Sequence, residues 1–321
     1  MWKNQFIVDD EINVHLSRLE SKKKELDAHR PLPTFIVEKI KTNLALEWTY
    51  NSNAIEGNTI TLRETQMILE EGVTVKGKSL REHFETFNHH KAISFLYQLA
   101  AASEPIRGID ILKLHEIVLN NIEEHYAGRI RTGNVRINGA NFTPPAASKV
   151  SELFDELIEW IQLNPDGLDM ISLATLFHPR FVWIHPFFDG NGRTVRLAMN
   201  LLLLRNGYPP AIILRADRKK YYEALNQANN GQYKKIQLMM IQAVERTLNI
   251  YLAALPHSTY EYSSITTLIE EERLPYGQEY LSLLARQGKI DAYKEGNVWY
   301  TSKNAVNSYM ENRKCQRKNS N

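Results

Sequence analysis

The residues of this chain best suited to chemistry lie between positions 185 and 196, which read HPFFDGNGRTVR. The segment begins with His185, which can act as a general base, and contains Asp189, whose carboxylate can bind a metal. A glycine-rich turn at 190–192 comes directly before an apolar run that is typical of a helix. Because the first N–H groups of a helix have no partner within it, a turn at this place can bind phosphate.

Two arginines extend the cluster into the predicted helix. Arg193 and Arg196 are three residues apart, so they share a helix face and can reach one anion. Asn-Gly dipeptides usually mark hairpin turns, and a lone histidine before a proline is usually structural. A hairpin requires a second strand, however, and the sequence supplies a helix. The residues therefore predict a nucleotide or polyphosphate site with a base beside it, where Mg²⁺ is held by Asp189 and the substrate phosphates.

The string from His185 to Arg196 matches the signature HPFx(D/E)GNGRxxR of the Fic family at every specified position, and the resemblance extends over roughly residues 35–250. It implies a protein adenylyltransferase, which moves AMP from ATP to a Ser, Thr or Tyr hydroxyl of a target protein. In the family's pattern, His185 takes the proton of that hydroxyl and Asp189 holds Mg²⁺. The pattern assigns the binding of the triphosphate to Gly190, Asn191, Gly192, Arg193 and Arg196, with the Asn191 side chain on the α-phosphate.

The same resemblance places an adenine pocket on a helix predicted from Arg218 to Asn229. Tyr222 and Asn229 are two helical turns apart on it and can face one cavity. Simple packing of this helix into the core is the alternative.

A second motif lies upstream, where Ser52, Glu56 and Gly57 match the (S/T)xxxE(G/N) inhibitory motif of many Fic proteins. The pattern predicts a short helix that ends at Glu56. The resemblance implies that Glu56 pairs with Arg196 and occupies the place of the γ-phosphate. Two alternatives remain: an ordinary helix end with a surface glutamate, or a carboxylate that positions water to remove AMP from a modified protein.

Between the two motifs, the sequence predicts a β-hairpin. Apolar Val135 and Ile137 alternate with polar neighbours, and Asn138-Gly139 is a strong turn signal. This segment resembles the Fic flap, a strand edge that pairs with the extended target segment. The predicted docking residues are Val135, Arg136, Ile137 and Asn138.

Composition limits the other possibilities. The net charge of +2 gives no reason to expect a polycation, and one cysteine, Cys315, cannot form an internal disulfide. We see no signal peptide, and the apolar runs are too short to span a bilayer. These features predict no membrane partner and a cytoplasmic location.

The order of the predicted elements gives a mostly α fold: a Fic helical core with a β-hairpin flap, followed by a small winged helix-turn-helix domain. The predicted boundaries are an N-terminal helical region at 1–105, with the inhibitory helix near 52–57, the core at 106–255, the winged module at 258–314 and a basic tail at 315–321.

The pattern helix, helix, hairpin, helix after residue 258 resembles MerR-type and excisionase-like DNA-binding modules. DNA is therefore a candidate partner of residues 258–314, although winged helices also dock proteins. A different hypothesis makes the whole chain a DNA-binding regulator with a nucleotide-sensing Fic core. Similar Fic proteins often pair through the core, so we also expect a homodimer.

Overall fold

A computed structural model describes residues 10–137, 139–255, 261–272, 274–295 and 297–318. In that part of the chain, the fold is mostly helical with one small antiparallel sheet. Two compact units are present. The larger unit contains the described residues of 10–12 and 41–240, and the smaller unit contains those of 13–40 and 241–318.

This division differs from the predicted boundaries. Helix α4 (Leu80–Ala101), predicted in a separate N-terminal region, packs against α5 (Gly108–Leu119) and α8 (Asn191–Arg205). Its apolar side chains Ala92, Ile93 and Leu96 are buried in that contact region. Burial of this face groups α4 with the core helices, since removing apolar surface from water is the main stabilising term.

The larger unit also contains most of α2 (Thr34–Ile55), together with α3 (Leu62–Glu71), α6 (Ala147–Leu163), α7 (Met170–Ile184) and α9 (Arg218–Asn229). A short 3₁₀ turn, Arg215–Asp217, precedes α9. The three-residue spacing of Thr61 and Glu64 predicts a capping box at the start of α3. The box is present: Thr61 Oγ1 accepts from the Glu64 N–H at 3.3 Å, and the Thr61 N–H donates to Glu64 Oε2 at 2.7 Å.

Helix α7 lies at the centre of this unit and packs against α6, α8 and α9. A proline such as Pro179 is expected to break or kink a helix, but α7 continues through it to Ile184. Phe177 and Phe181 on either side are fully buried. Packing of this kind on all sides outweighs the cost of a proline inside a helix, about 3 kcal/mol.

The smaller unit contains most of α1 (Asp10–Ala28) and of α10 (Lys234–Ala253), followed by β1 (Ser263–Ser264), α11 (Ile265–Glu272), α12 (Gln278–Arg286), β2 (Ala292–Glu295), β3 (Val298–Thr301) and α13 (Lys303–Lys318). The sheet order is β1-β3-β2, with both pairs antiparallel. The sequence predicts the first strand of this hairpin over residues 288–293, but β2 begins at Ala292. Ile290 is instead buried in the local core with Leu281, Leu284 and Val306.

A buried ionic cluster ties α1 to α10 within the smaller unit. Arg18 Nη2 and Lys22 Nζ donate to the Glu245 carboxylate at 2.6 and 2.9 Å. Burial alone would raise the pKa of Glu245, but Lys22 and Arg18 outweigh it and hold that pKa well below its ordinary value.

Among the residues described, none of the helices has the length and apolar character that a membrane span requires.

Candidate functional site

The signature segment forms the loop between α7 and α8. His185 ends α7 in the left-handed region at φ +50°, and its N–H donates to Phe181 O at 2.9 Å. Gly190 precedes α8 at φ +74°, a conformation that glycine adopts without strain. The Asn191 side chain closes the loop by bonding both the N–H and the C=O of Phe187, at 3.0 and 2.8 Å. Its amide thus has a role within the loop, besides the α-phosphate contact that the resemblance implies.

His115 on α5 supports this loop from behind. Its ring stacks on Phe187 with the centroids 3.6 Å apart and the planes 7° from parallel. Its Nδ1 accepts from the Gly128 N–H at 3.0 Å, so Nε2 carries the proton and donates to Asp189 O at 3.0 Å. Burial lowers the pKa of His115 to about 4, which keeps this tautomer neutral. The sequence around His115 matches no trusted metal-binding spacing and by itself predicts only a surface or packing role.

His185 is half-buried at the point where two cavities meet. Burial lowers the pKa of its imidazole to about 4; a backbone hydrogen bond with Val182 opposes the shift and Arg131 adds to it. The ring is therefore neutral near pH 7 and can accept a proton.

Arg131 fixes the backbone around this base, a role that the sequence did not reveal. Its side chain is 1% exposed. The guanidinium donates to His185 O at 2.8 Å, to Gly133 O at 2.9 Å and to Pro145 O at 2.6 Å. It therefore holds the end of α7 and the segment predicted as the flap in one arrangement.

Asp189 presents a half-exposed carboxylate at the mouth of the first cavity. Its Oδ1 accepts from the Gly190 N–H at 2.6 Å, and its Oδ2 accepts from Arg81 Nη2 at 2.5 Å. Burial would raise the pKa of Asp189, but Arg193, the Gly190 N–H and Arg81 together lower it. The carboxylate is therefore ionised at neutral pH.

No group of three or more His, Cys, Asp or Glu side chains able to hold a metal occurs among the described residues. A single ionised carboxylate, such as that of Asp189, instead suits a Mg²⁺ ion that completes its shell with phosphate oxygens. The residues present thus fit the predicted cation.

Both arginines of the signature are buried and paired with carboxylates. Arg193 Nη1 lies 3.1 Å from Glu85 Oε1, and Arg196 Nη1 lies 2.8 Å from Glu56 Oε1. Ser52 completes the second contact, since its Oγ and its carbonyl oxygen accept from Arg196 at 3.0 and 2.8 Å. The structure thus brings together the two motifs that the sequence separated by more than a hundred residues.

The segment that carries Glu56 is longer than predicted. It is the end of the 22-residue α2, which stops at Ile55, one residue before the predicted end. Gly57 follows at φ +103°, where other residues are strained. The Glu56 carboxylate lies so close to Gly192 that a Cβ added to that glycine would collide with it. Glu56 therefore lies directly against the turn that the sequence predicts to bind an anion.

The loop after Gly57 is bonded to the first turns of α4. The Asn58 amide donates to Glu85 Oε2 at 2.9 Å, and the Thr59 N–H donates to Glu82 Oε1 at 2.8 Å. Burial would raise the pKa of Glu82, but bonds from Thr59 and Ser79 lower it to about 2. On the other side, Arg218 Nε donates to Ile55 O at 2.7 Å and caps the end of α2.

Two cavities meet at Glu56 and His185. The first, about 390 Å³, contains Asp189 and Arg193 in its wall. The second, about 420 Å³, is lined largely by apolar groups and by both residues predicted for the adenine pocket, Tyr222 and Asn229. Tyr221 also lines this cavity, although it is fully buried and its hydroxyl lies 2.7 Å from His178 Nε2.

The predicted flap hairpin is wrong in the part of the segment that the structure describes. Residues 129–137 contain no strand, and Asn138 lies outside the described residues. The chain on the far side of the turn soon reaches Pro144 and Pro145, which have no N–H to donate to a ladder. Val135 and Ile137 are half-buried and Arg136 is exposed; Ile137 lines the second cavity.

Comparison with known proteins identifies the family of this chain. The sequence profile of the Fic/DOC family matches residues 105–203. The chain is 41% identical over 207 residues to "Protein adenylyltransferase Fic" of Nematostella vectensis, which covers 64% of this chain and 48% of that protein. A solved fragment of Fic-1 from C. elegans, residues 134–508 of that protein, is 33% identical with a TM-score of 0.68, over 76% of this chain and 72% of the fragment. The chain therefore belongs to the Fic family.

The relatives differ in how much of the chain they cover. The chain spans about half the length of the curated relatives it matches, 48% of the protein from Nematostella vectensis. A Fic family protein from Desulfovibrio desulfuricans, 20% identical with a TM-score of 0.66, aligns over 94% of this chain and 98% of its own. At that identity the likeness concerns the fold alone, and it extends over nearly the whole chain.

Proposed function

We propose that this chain transfers AMP from ATP to a hydroxyl side chain of a target protein. The observation that carries the proposal is the place of a neutral His185 where the two cavities meet. One cavity offers Asp189 and Arg193 to phosphates, and the other offers Tyr222 and Asn229 to a base. A nucleotide that fills both brings its α-phosphate next to the imidazole.

The reaction follows from that placement. The target hydroxyl oxygen forms a bond to the α-phosphorus, and the bond from that phosphorus to the bridging oxygen of the β-phosphate breaks. AMP is left on the target as a phosphodiester, pyrophosphate departs, and the hydroxyl proton moves to His185. Positioned cations and N–H groups stabilise the charge that develops on the phosphates.

Binding of the triphosphate falls to the loop and the start of α8. The turn at Gly190, Asn191 and Gly192 offers backbone N–H groups at a helix N-terminus. Arg193 and Arg196 supply charge-assisted hydrogen bonds to the outer phosphates. Mg²⁺ bound at Asp189 would neutralise the phosphate oxygens and orient the leaving group.

We further propose that Glu56 inhibits the chain. Its carboxylate holds Arg196, which the γ-phosphate needs, and it lies against Gly192 in the phosphate turn. An ATP molecule that enters while Glu56 stays in place loses its γ-phosphate anchor and binds with a misplaced α-phosphate.

Removal of AMP is the second candidate function, because Glu56 lines both cavities beside His185. A carboxylate there can orient a water molecule towards the α-phosphorus of a modified side chain. Release of AMP from a protein modified beforehand would identify this activity. If the wild-type chain releases no AMP, transfer remains the supported candidate of the two.

Labelled ATP tests the proposed transfer. The Glu56→Gly variant, incubated with a protein extract and Mg²⁺, should incorporate label from ATP carrying it on the α-phosphate and none from ATP carrying it on the γ-phosphate. Mass spectrometry should find AMP on Ser, Thr or Tyr. Incorporation from the γ-label would indicate a kinase instead, and no incorporation from either would contradict the proposal.

Target docking is proposed along residues 135–137, where Ile137 lines the base cavity and Arg136 is exposed. An extended target segment placed beside these residues can present a side chain to His185. Bonds to an unpaired extended backbone are a general means of such docking.

For the smaller unit, we propose a winged helix-turn-helix, because α11, α12, the β2–β3 hairpin and α13 follow one another in that order. Arg286 and Lys289, exposed at the end of α12 and just after it, could contact DNA phosphates. A gel-shift assay on random duplexes should show binding that an Arg286→Gln, Lys289→Gln variant loses. No binding at low salt would favour protein docking.

The homodimer also stays a prediction, which a monomer mass in light scattering would contradict.

A further inference from the structure

One basic residue of the first cavity has no part in the signature. Arg81, in the first turn of α4, extends its guanidinium into the cavity wall and meets Asp189 Oδ2 at 2.5 Å. We propose that Arg81 is an internal cation that occupies the metal-binding oxygen of Asp189 until a divalent cation displaces it. This inference rests on the proposed function, in which Asp189 is the carboxylate that binds Mg²⁺.

The two oxygens of Asp189 are both in use. Oδ1 accepts from the Gly190 N–H at 2.6 Å and lies 3.6 Å from Arg193 Nη2. Oδ2 is the oxygen that faces Arg81. Mg²⁺ needs direct contact with its ligand oxygen at about 2.0–2.1 Å. A guanidinium on Oδ2 therefore excludes the ion, both by occupying the lone pairs and by like charge.

Arg81 has other partners ready when it leaves Asp189. Its Nε lies 3.4 Å from Glu85 Oε1, and its Nη1 lies 3.7 Å from Glu123 Oε1. The side chain is 49% exposed, so it can turn without uncovering a buried surface. Movement to these carboxylates exchanges one ion pair for another.

Phosphate binding would favour this exchange. Glu85 Oε1 is held at present by Arg193, 3.1 Å away. When Arg193 turns to the triphosphate, Glu85 loses that partner and can take Arg81 fully. Nucleotide and cation thus enter together: the nucleotide frees Glu85 to receive Arg81, and the cation then displaces Arg81 from Asp189 towards Glu85. Before the nucleotide arrives, Arg81 neutralises Asp189 and keeps free cations out.

The test measures cation binding through stability and not through catalysis. The thermal unfolding midpoint of the full chain is recorded at saturating ATP while Mg²⁺ is varied, and the Mg²⁺ concentration that gives half the shift is compared between variants. Arg81→Gln should lower that concentration by about two- to fivefold, the range expected for losing a half-exposed ion pair. Arg81→Lys, which keeps the charge, should stay near the wild type.

Arg63→Gln is the matched control, because Arg63 is an exposed arginine of α3 and its loss changes the net charge equally. It should leave the concentration unchanged. If Arg81→Gln reaches half of its midpoint shift at the same Mg²⁺ concentration as the wild type, the inference is wrong. If it needs more Mg²⁺ and binds ATP more weakly, Arg81 contacts the triphosphate and the inference is equally wrong.

Asp189→Asn separates this inference from the proposed function. It should raise the Mg²⁺ concentration at half-shift, since the amide is a poor ligand. An Asp189→Asn protein that behaves as the wild type would remove Asp189 from the metal site and Arg81 with it. A raised value for Asp189→Asn, together with no change for Arg81→Gln, would overturn the role of Arg81 alone.

Discussion

Replacing His185 with alanine should abolish AMP transfer and leave ATP binding largely intact. In the proposed mechanism, the imidazole acts on the proton of the target hydroxyl, while the turn and the arginines on α8 bind the triphosphate. A positioned general base supplies about 10²–10⁴-fold in rate, so the loss should be plain in an end-point labelling assay. Calorimetry of ATP binding to the same variant measures the second half of the prediction.

His29→Ala serves as the control, because His29 is exposed in the smaller unit and its removal leaves the loop between α7 and α8 untouched. It should label targets as the wild type does. A His185→Ala protein with undiminished labelling would show that another group takes the proton.

The pH profile of transfer provides a second measure of the same residue. With a pKa of about 4, the His185 ring stays neutral from pH 8 down to about 5 and is protonated only below that. Because the neutral form is the base, activity should be flat over that range and fall towards pH 4. A fall centred near pH 6.5, the ordinary value of a histidine, would mean that the ring is not desolvated as described.

The elements that sequence predicted best are those fixed by neighbouring residues. The capping box at Thr61 and Glu64 needs only a three-residue spacing, and α9 runs from Arg218 to Asn229 as its pattern indicated. The anion-binding turn is equally local, since its glycines and the helix after it are adjacent in the chain. The family signature concentrates in such a segment, which is why it could be found without a structure.

The supporting residues could not be found in this way, because each acts across a long stretch of chain. His115 bonds Asp189 from 74 positions away, and Arg131 bonds His185 from 54. No local pattern distinguishes such residues from other polar side chains on a helix or loop. Their partners are decided by how α5, α7 and α8 pack.

The predicted flap hairpin is wrong for the opposite reason: a local turn signal is not sufficient to form a hairpin. Asn138-Gly139 is a strong turn dipeptide, but a hairpin also needs a second strand with free donors. Pro144 and Pro145 remove two of them. Side-chain bonds replace the missing ladder: Arg131 donates to Gly133 O, and Asn134 Oδ1 accepts from the Ala147 N–H at 2.9 Å.

Glu56→Gly should raise AMP transfer by about 10- to 1,000-fold. In the wild type, the carboxylate lies 2.8 Å from Arg196 and against Gly192, so under the proposed mechanism the γ-phosphate has no anchor. Arg196 is buried and the Glu56 side chain is 32% exposed; such a partly shielded pair can hold a few kcal/mol, and each 1.4 kcal/mol or so is tenfold in population. The initial rate of AMP labelling at saturating ATP and Mg²⁺, compared between the variant and the wild type, measures this increase.

Two further variants test whether the ion pair between Glu56 and Arg196 is the contact that inhibits transfer. Glu56→Gln keeps the shape and the backbone but loses the charge, so it should also raise transfer, by less than the glycine variant. Arg196→Ala should not raise it, because that change removes the inhibitory contact and the γ-phosphate anchor together. Ser52, whose Oγ and carbonyl oxygen hold Arg196, would still fix the arginine in either Glu56 variant. If Glu56→Gly transfers AMP no faster than the wild type, the contact between Glu56 and Arg196 does not inhibit transfer. Glu56 is then only a residue at the end of a helix that meets a buried arginine.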